Sequence, residues 1–158
     1  MAAAGVVAQE IQSWKPDAVF VDQGAGTGVI DRLRQLGYDI QEVAFGSKSS
    51  SSKYFNKRAQ MWGGVKEWLR QGGALPNDDE IRADLIGPEY GFAHNDAIQL
   101  EKKEDMKKRG LSSPDCGDAL ALTFAHAVHQ RRLEDQELYA QQDQGKYDPL
   151  GFMQGGRR

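Results

Sequence analysis

A short apolar run followed by an aspartate and three closely spaced glycines constrains the fold of this chain more than any other stretch. Residues 18–21 (AVFV) are all apolar, which is typical of a strand buried on both faces of a sheet. Asp22 follows at once, and Gly24, Gly26 and Gly28 predict a turn. The sequence therefore predicts that Asp22 lies at the carboxyl end of a buried strand, where α/β folds bind their ligands.

The segments around this strand predict an α/β fold with parallel neighbouring strands. Apolar periodicity predicts a helix before the strand, at residues 2–14, and an amphipathic helix after it, at residues 29–37, closed by Gly37. Residues 38–45 form the next predicted strand, and helix, strand, helix, strand is the order of a parallel sheet. The later predicted elements are helices over 54–72, 78–87 and 112–132 and two short strands within 89–110.

Two of the later helices carry features that predict how they pack. The helix over 54–72 contains Gly63 and Gly64, which lower helix stability, so we expect a close contact or a kink there. In the last helix we expect Ser113 as the N-cap and Pro114 at the first helical position. The predicted buried stripe of that helix consists of Leu120, Phe124, Ala127 and Val128.

Length and composition are those of one soluble domain. The chain has 158 residues, of which 39% are hydrophobic and 27% are charged, and it carries a net charge of −3. No apolar run approaches the roughly 20 residues that cross a bilayer, so no membrane partner is predicted. The single cysteine, Cys116, excludes an internal disulfide and fits a reducing, cytoplasmic compartment. Composition predicts a domain at 1–132 and a flexible tail, rich in Gln, Asp and Gly, at 133–158.

The glycine segment leaves several interpretations open. The dinucleotide-binding fingerprint needs a G-x-G-x-x-G spacing, and these three glycines do not have it. VDQGAGTG also fits a small S-adenosylmethionine-dependent methyltransferase, although the next strand of such an enzyme should end in an acid and residues 43–47 contain none. Alternatively, Asp22 is a metal ligand and the glycines leave room beside it. In the simplest interpretation, Asp22 only caps the turn or the next helix.

A second group of carboxylates opens the last predicted helix. Asp115 and Asp118 are three residues apart, so both project from the same side of the first helical turn. Two carboxylates that face the same way repel each other unless a cation lies between them, and Mg²⁺ and Mn²⁺ prefer oxygen ligands. With Asp22 they form a pattern suited to two-metal phosphodiester hydrolysis. The alternative is that Asp115 matches the helix dipole and Asp118 faces solvent.

Three stretches together resemble the C-terminal nuclease domain of the large terminase subunit of tailed phages. They are VFVDQGAGTGVIDRLRQLGYDIQEVAFG, NKRAQMWGGVKEWLRQGGALPNDDEI and AIQLEKKEDMKKRGLSSPDCGDALALTFA, and the resemblance covers about residues 1–130. It implies an RNase H-like α/β fold, with a central sheet flanked by helices. It also implies a Mg²⁺- or Mn²⁺-dependent endonuclease that cuts concatemeric viral DNA during genome packaging.

The resemblance assigns roles to individual residues and implies partners. Asp22 matches the acid at the end of a strand, Asp118 matches the acid on the helix, and Asp115 lies where the family has a further acid or a histidine. These three residues are the implied catalytic and metal-binding groups. The residues where such domains approach DNA are Lys102, Lys103, Lys107, Lys108 and Arg109. The implied partners are double-stranded DNA, a separate ATPase or N-terminal terminase chain, the portal and the small terminase subunit, all in the host cytoplasm.

The chain also departs from the family pattern. It starts at the helix that follows the family's first three strands, the first of which carries a catalytic aspartate, and it contains no G-x-x-x-x-G-K-[ST] phosphate-binding loop. We therefore expect a partial RNase H-like domain that lacks those strands, with weak or absent nuclease activity in isolation. The non-enzymatic alternative is a DNA-binding or assembly module that keeps the basic segment at 101–110 but has lost catalysis.

Overall fold

Helices alternate with very short strands along the chain. The computed structural model describes residues 2–129, so the predicted tail at 133–158 lies outside the described residues, and residues up to Ala127 form one compact unit. No helix in the described part is long and apolar enough to cross a bilayer. The elements are α1 (Ala2–Trp14), β1 (Phe20–Asp22), α2 (Gln23–Gln35), β2 (Gln41–Val43), α3 (Lys57–Arg70), α4 (Asp79–Ile86), β3 (Tyr90–Phe92), β4 (Ile98–Leu100), α5 (Lys103–Lys108) and α6 (Asp115–Leu122).

The strands form two small sheets rather than the single central sheet that we expected. β1 and β2 are parallel, with Asp22 opposite Val43, which confirms the predicted parallel neighbours. β3 and β4 form a separate antiparallel pair. This pair joins the segment before α3 instead of β2, because Ile98 in β4 accepts a hydrogen bond from the Phe55 backbone N at 2.9 Å and donates one to the Lys53 carbonyl at 2.8 Å.

The glycine segment is helical, so the predicted turn is wrong. Helix α2 begins at Gln23, directly after β1, because Asp22 is its N-cap. Oδ1 of Asp22 accepts a hydrogen bond from the backbone N of Gly24 at 3.1 Å, which satisfies one of the free donors at the start of the helix. At the other end, Leu36 is the C-cap, and Gly37 follows it with a φ of +88°, the left-handed conformation that glycine adopts most easily.

The last helix is shorter than predicted and buries different side chains. Helix α6 ends at Leu122, and its N-cap is Pro114 rather than Ser113. Because the helix stops early, the predicted apolar stripe does not continue, and Ala127 and Val128 are exposed. The buried residues of this segment are Gly117, Asp118, Ala121 and Ala125.

Two apolar clusters form the core of the described unit. One joins β2, α3 and α6, and the other joins α1 and α2 next to the start of β2. The buried residues of the first cluster are Val43, Met61, Val65, Ala121 and Ala125. Those of the second are Ala4, Ile30, Leu33 and Ile40.

The glycine pair in α3 marks a close contact, as its sequence predicts. A Cβ atom added at Gly63 would lie 2.2 Å from the Tyr54 hydroxyl oxygen, and one added at Gly64 would lie 3.1 Å from Phe124. The absence of side chains at these two positions therefore lets Tyr54 and the segment after α6 pack directly against the α3 backbone.

Helix α6 receives its N-terminal cap from another helix. Pro114 provides no capping side chain. Instead, Oδ2 of Asp84, on α4, accepts hydrogen bonds from the backbone N atoms of Cys116 at 2.8 Å and Gly117 at 3.1 Å. Asp84 is only 6% exposed, so its carboxylate relies on these donors in place of water. This contact fixes the start of α6, and with it the two aspartates of its first turn.

We expect Asp84→Ala to lower the free energy of unfolding by about 2–3 kcal/mol, because it leaves two backbone N–H groups in poorly hydrated positions without an acceptor. Asp84→Asn should cost less, since its amide oxygen still accepts. Equilibrium denaturation in urea measures both values. The exposed Asp31→Ala on α2 is the control and should stay within about 0.5 kcal/mol of wild type. An equal effect of Asp84→Ala and Asp31→Ala would contradict this role for Asp84.

Candidate functional site

Asp118 is the best-defined polar residue of the site. It lies on the first turn of α6 and is 5% exposed, so the expectation that it faces solvent is wrong. Its Oδ1 accepts hydrogen bonds from Arg58 Nε and from Trp62 Nε1, both at 2.9 Å. Arg58 and Trp62 are four residues apart on α3, so both point from the same face of that helix. Asp118 thus connects the two helices by a buried ion pair.

Lys103 lies between the two aspartates of α6. Its Nζ is 2.9 Å from Asp118 Oδ2 and 3.1 Å from Asp115 Oδ1. Partial burial alone would lower the pKa of Lys103, but its contacts with Asp118 and Asp115 outweigh burial and raise that pKa. The sequence prediction that the two carboxylates face the same point is confirmed. In this structure the cation at that point is an ammonium group.

The second carboxylate, Asp115, is exposed at the rim of the site. Its side chain is 77% exposed. Ser113, instead of capping α6 through the backbone, donates a hydrogen bond from Oγ to Asp115 Oδ1 at 2.7 Å. This hydrogen bond, followed by the contact with Lys103, lowers the pKa of Asp115. Asp115 is therefore an accessible anion beside the buried anion Asp118.

Asp22 acts as a helix cap, and its role as a metal ligand stays a prediction. It is half-buried at the end of β1 and accepts the Gly24 hydrogen bond described above. Across residues 2–129, no group of three or more histidine, cysteine, aspartate or glutamate side chains is arranged to hold a metal ion. The described side chains therefore bring Asp115 and Asp118 to one cation position without assembling a three-carboxylate centre.

The donor set at this position fits one hydrated divalent cation. Asp118 Oδ2 is buried, and its one polar partner among the described residues is the Lys103 ammonium, 2.9 Å away. Asp115 contributes a solvent-accessible carboxylate next to it. Mg²⁺ keeps several waters and is commonly held by one or two carboxylates together with substrate phosphates. A divalent cation would have to displace the Lys103 ammonium from this position.

The five basic residues predicted to contact DNA have different environments. Lys102 and Lys107 are exposed, and neither forms an ion pair within the described residues. Lys103 belongs to the aspartate site, and Lys108 pairs with Asp105 at 2.7 Å. Arg109 Nε donates to Glu101 at 2.9 Å. The local charge available to an external anion is therefore smaller than the sequence indicates.

Arg109 clamps the strand pair to α5. Besides Glu101, at the end of β4, its guanidinium binds the Gly87 carbonyl at 2.9 Å and the Glu89 carboxylate at 3.3 Å. The hydrogen bond from Arg109 is the main reason that the pKa of Glu101 is lowered. The same segment supplies the Glu101 carbonyl, which accepts a hydrogen bond from Arg58 Nη1 at 3.0 Å. By holding the Glu101 side chain, Arg109 therefore also helps to fix the backbone carbonyl that Arg58 contacts.

Sequence reasoning missed several residues that build this site. Arg58, Trp62 and Asp84 all contact the first turn of α6, and none of them is among the site residues that the sequence predicts. Arg58 and Trp62 do lie in the stretch NKRAQMWGGV, which carries part of the family resemblance. That stretch was the one signal available for them.

We expect the stability conferred by Glu101 to disappear in acid. A carboxyl group whose pKa is lowered by folding stabilises the protein above its unfolded value, here about 4.5, and that contribution is lost as pH falls through the lower folded value. Glu101→Gln should therefore be less stable than wild type at neutral pH, and the difference should shrink below pH 4.5. Urea denaturation across this range measures it, with the exposed Glu104→Gln on α5 as control. A difference that is constant with pH would contradict the assignment.

The fold matches solved terminase nuclease domains, whereas no protein-family model and no curated protein matches the chain. The nuclease domain of the large terminase subunit gp2 of bacterial virus Sf6 is 21% identical, with a TM-score of 0.63, over 80% of this chain and 72% of that one. A lysine-to-alanine mutant of that domain with manganese and beta-thujaplicinol gives 18% identity and a TM-score of 0.66 over the same shares. The same mutant with calcium gives 21% identity and a TM-score of 0.62 over 78% of this chain and 71% of that one. The described unit therefore has the fold of a terminase nuclease domain, in agreement with the predicted RNase H-like class.

Proposed function

We propose that this chain is a nuclease domain of a phage terminase large subunit, which cuts concatemeric viral DNA during packaging with the help of Mg²⁺ or Mn²⁺. The observation that carries the proposal is the convergence of Asp115 and Asp118 on one cation position, in a chain with the fold of such a domain. The relatives solved with manganese and with calcium support a divalent ion as the cofactor.

The proposed roles follow from the environment of each side chain. Asp118, buried and held by Arg58, presents Oδ2 to the cation, and Asp115 adds an accessible carboxylate. Asp22 is the proposed third catalytic and metal-binding residue, by its position at the end of β1. The bound ion would supply Lewis-acid stabilisation of the phosphodiester and a more acidic water molecule. Once Asp115 and Asp118 bind that ion, the Lys103 ammonium is available to neutralise a phosphate oxygen.

Weak activity is the expected state of this chain in isolation. Two carboxylates converge on the cation position in the described residues, whereas two-metal hydrolysis needs ligands for a second ion. We propose double-stranded DNA as the substrate, held partly by the basic residues of 101–110. The further proposed partners are an ATPase-bearing terminase chain, the small terminase subunit and the portal, in the cytoplasm of the host.

The methyltransferase alternative loses its supporting feature. Its glycine segment was expected to form a cofactor-binding turn, but Gly24 and Gly28 lie in the first turns of α2. The other alternative, a non-catalytic DNA-binding module, shares the basic segment with the nuclease proposal. A cleavage assay separates these two.

We expect slow, Mn²⁺-dependent cleavage of plasmid DNA by the wild-type chain, reduced to background by Asp118→Asn. The asparagine oxygen still accepts from Arg58 and Trp62, but the buried Arg58 loses its counter-ion, so the variant must be shown to stay folded before its rate is compared. Asp22→Asn tests the third ligand cleanly, because asparagine caps a helix as well as aspartate does. Gel analysis of nicked and linear products gives the rates, and circular dichroism verifies folding.

The exposed Asp31→Asn is the control for this assay and should cleave like wild type. Cleavage that persists in Asp118→Asn would contradict the proposed site, and cleavage that persists in Asp22→Asn would remove Asp22 from it. A wild-type chain that binds DNA but never cuts it would support the non-catalytic module instead.

We expect Lys102→Ala and Lys107→Ala each to weaken duplex binding, since these two exposed lysines form no ion pair within the described residues. Each lost phosphate contact should lower the slope of log affinity against log salt by about 0.9. Fluorescence anisotropy at several salt concentrations measures this slope. Arg70→Ala is the control, because Arg70 lies roughly 18 Å along α3 from Arg58. Unchanged slopes in both lysine variants would contradict DNA contact by this segment.

A further inference from the structure

We propose that Arg58 and Trp62 are positioning residues that determine which oxygen of Asp118 meets the cation. This inference rests on the proposed function, which assigns Asp118 to the cation. Oδ1 of Asp118 accepts two hydrogen bonds, from Arg58 Nε and from Trp62 Nε1, each at 2.9 Å. Oδ2 has one polar partner among the described residues, the Lys103 ammonium at 2.9 Å. Oδ1 is thus held by two donors of α3, whereas Oδ2 already faces a positive charge, the Lys103 ammonium.

The two donors are themselves fixed. The Arg58 guanidinium lies over the Trp62 ring, 5.8 Å from its centroid, and Nη1 donates to the Glu101 carbonyl at 3.0 Å. Only 11% of the Arg58 side chain and 7% of the Asp118 side chain are exposed, so water competes little for these contacts. The Trp62 ring packs directly against α6 at Gly117, where an added Cβ would be 2.8 Å from it.

This arrangement has a chemical consequence. A carboxylate binds a divalent cation through one oxygen or through both, and the bidentate mode requires both oxygens to be free. Because Oδ1 already accepts two N–H groups, Asp118 presents Oδ2 alone. The arrangement also leaves Arg58 Nη2 buried without a hydrogen-bond partner among the described residues. The helix contact thus orients Asp118 at the cost of one unpaired donor, which is typical of a functional constraint.

The test compares two tryptophans of the same helix. Trp62→Phe keeps an aromatic ring next to α6 and removes the indole donor to Oδ1, together with the ring atoms that lie against Gly117. Trp68→Phe makes the same chemical change on α3, at a ring that packs against Phe124, 6.0 Å away, and gives no hydrogen bond to Asp118. Binding of Mn²⁺ alone is followed by electron paramagnetic resonance of the free ion. Melting temperature is measured on the same samples, so that loss of affinity is separated from loss of stability.

We expect Trp62→Phe to weaken Mn²⁺ binding roughly fivefold, the effect of one lost hydrogen bond, while Trp68→Phe leaves it unchanged. A second measurement uses only the wild-type chain. In ¹⁵N spectra of the wild-type chain, addition of Mg²⁺ should shift the indole N–H of Trp62, and those of Trp14 and Trp68 should stay in place. Arg58→Lys, which keeps the charge but cannot repeat the Nε geometry, should weaken Mn²⁺ binding at least as much as Trp62→Phe.

The possible failures are distinct. If the wild-type chain binds Mn²⁺ and Trp62→Phe binds it equally well, the positioning role is overturned and the proposed function stands. If Trp62→Phe and Trp68→Phe lose Mn²⁺ affinity equally, in proportion to their loss of melting temperature, both residues have only a structural role. That result also overturns the positioning role. If the wild-type chain binds neither Mn²⁺ nor Mg²⁺, and the Trp62 signal stays fixed, the proposed function fails first and the inference falls with it.

Discussion

The buried ion pair between Arg58 and Asp118 is the contact on which the rest of the site depends. A buried pair gains little net stability over apolar packing, but removal of one partner leaves an uncompensated charge and costs about 3–5 kcal/mol. Such a pair therefore fixes geometry more than it adds stability. Three carboxylates surround the start of α6, and each has a separate compensation: Asp84 accepts backbone N–H groups, Asp118 pairs with Arg58, and Asp115 shares Lys103 with Asp118. The helix dipole favours all three.

Local patterns in the sequence predict the elements well where packing agrees with them. Helix α1, the short helix α4 and the parallel pairing of β1 with β2 are all found. The glycine segment differs from its prediction. Three glycines favour a turn by propensity, but the cap from Asp22 and the packing of Ile30 and Leu33 stabilise a helix that begins directly after β1. Propensity is a difference of about 1 kcal/mol per glycine, which tertiary contacts easily exceed.

In the candidate site, only the contacts between residues close together in the sequence are predictable. The spacing of Asp115 and Asp118 is enough to predict that both carboxylates face one point, and the structure agrees. The alternative that Asp118 faces solvent is wrong, because periodicity places charged residues outside and does not reveal that its partner Arg58 lies 60 residues earlier in the chain. The role of Trp62 is not predictable for a similar reason: an apolar stripe at helical spacing does not reveal that one indole N–H binds a carboxylate. These partners come from long-range packing, on which the pattern within one helix carries no information.

Charge balance at the site then connects the cation to the substrate. In the structure, Arg58 and Lys103 together neutralise Asp118 and Asp115. Under the proposed function, Lys103 must release Asp118 Oδ2 before a divalent cation can bind there, and the site would then hold two more positive charges than it does now. A DNA phosphate restores part of the balance and gives the released ammonium a new partner. Cation and DNA should consequently favour each other's binding, because the affinity that one gains from the other is reciprocal. Under the proposed function, the lysine that competes with the cation in the free chain would thus become a phosphate ligand in the complex, and the buried contact with Arg58 would keep Asp118 in place during that exchange.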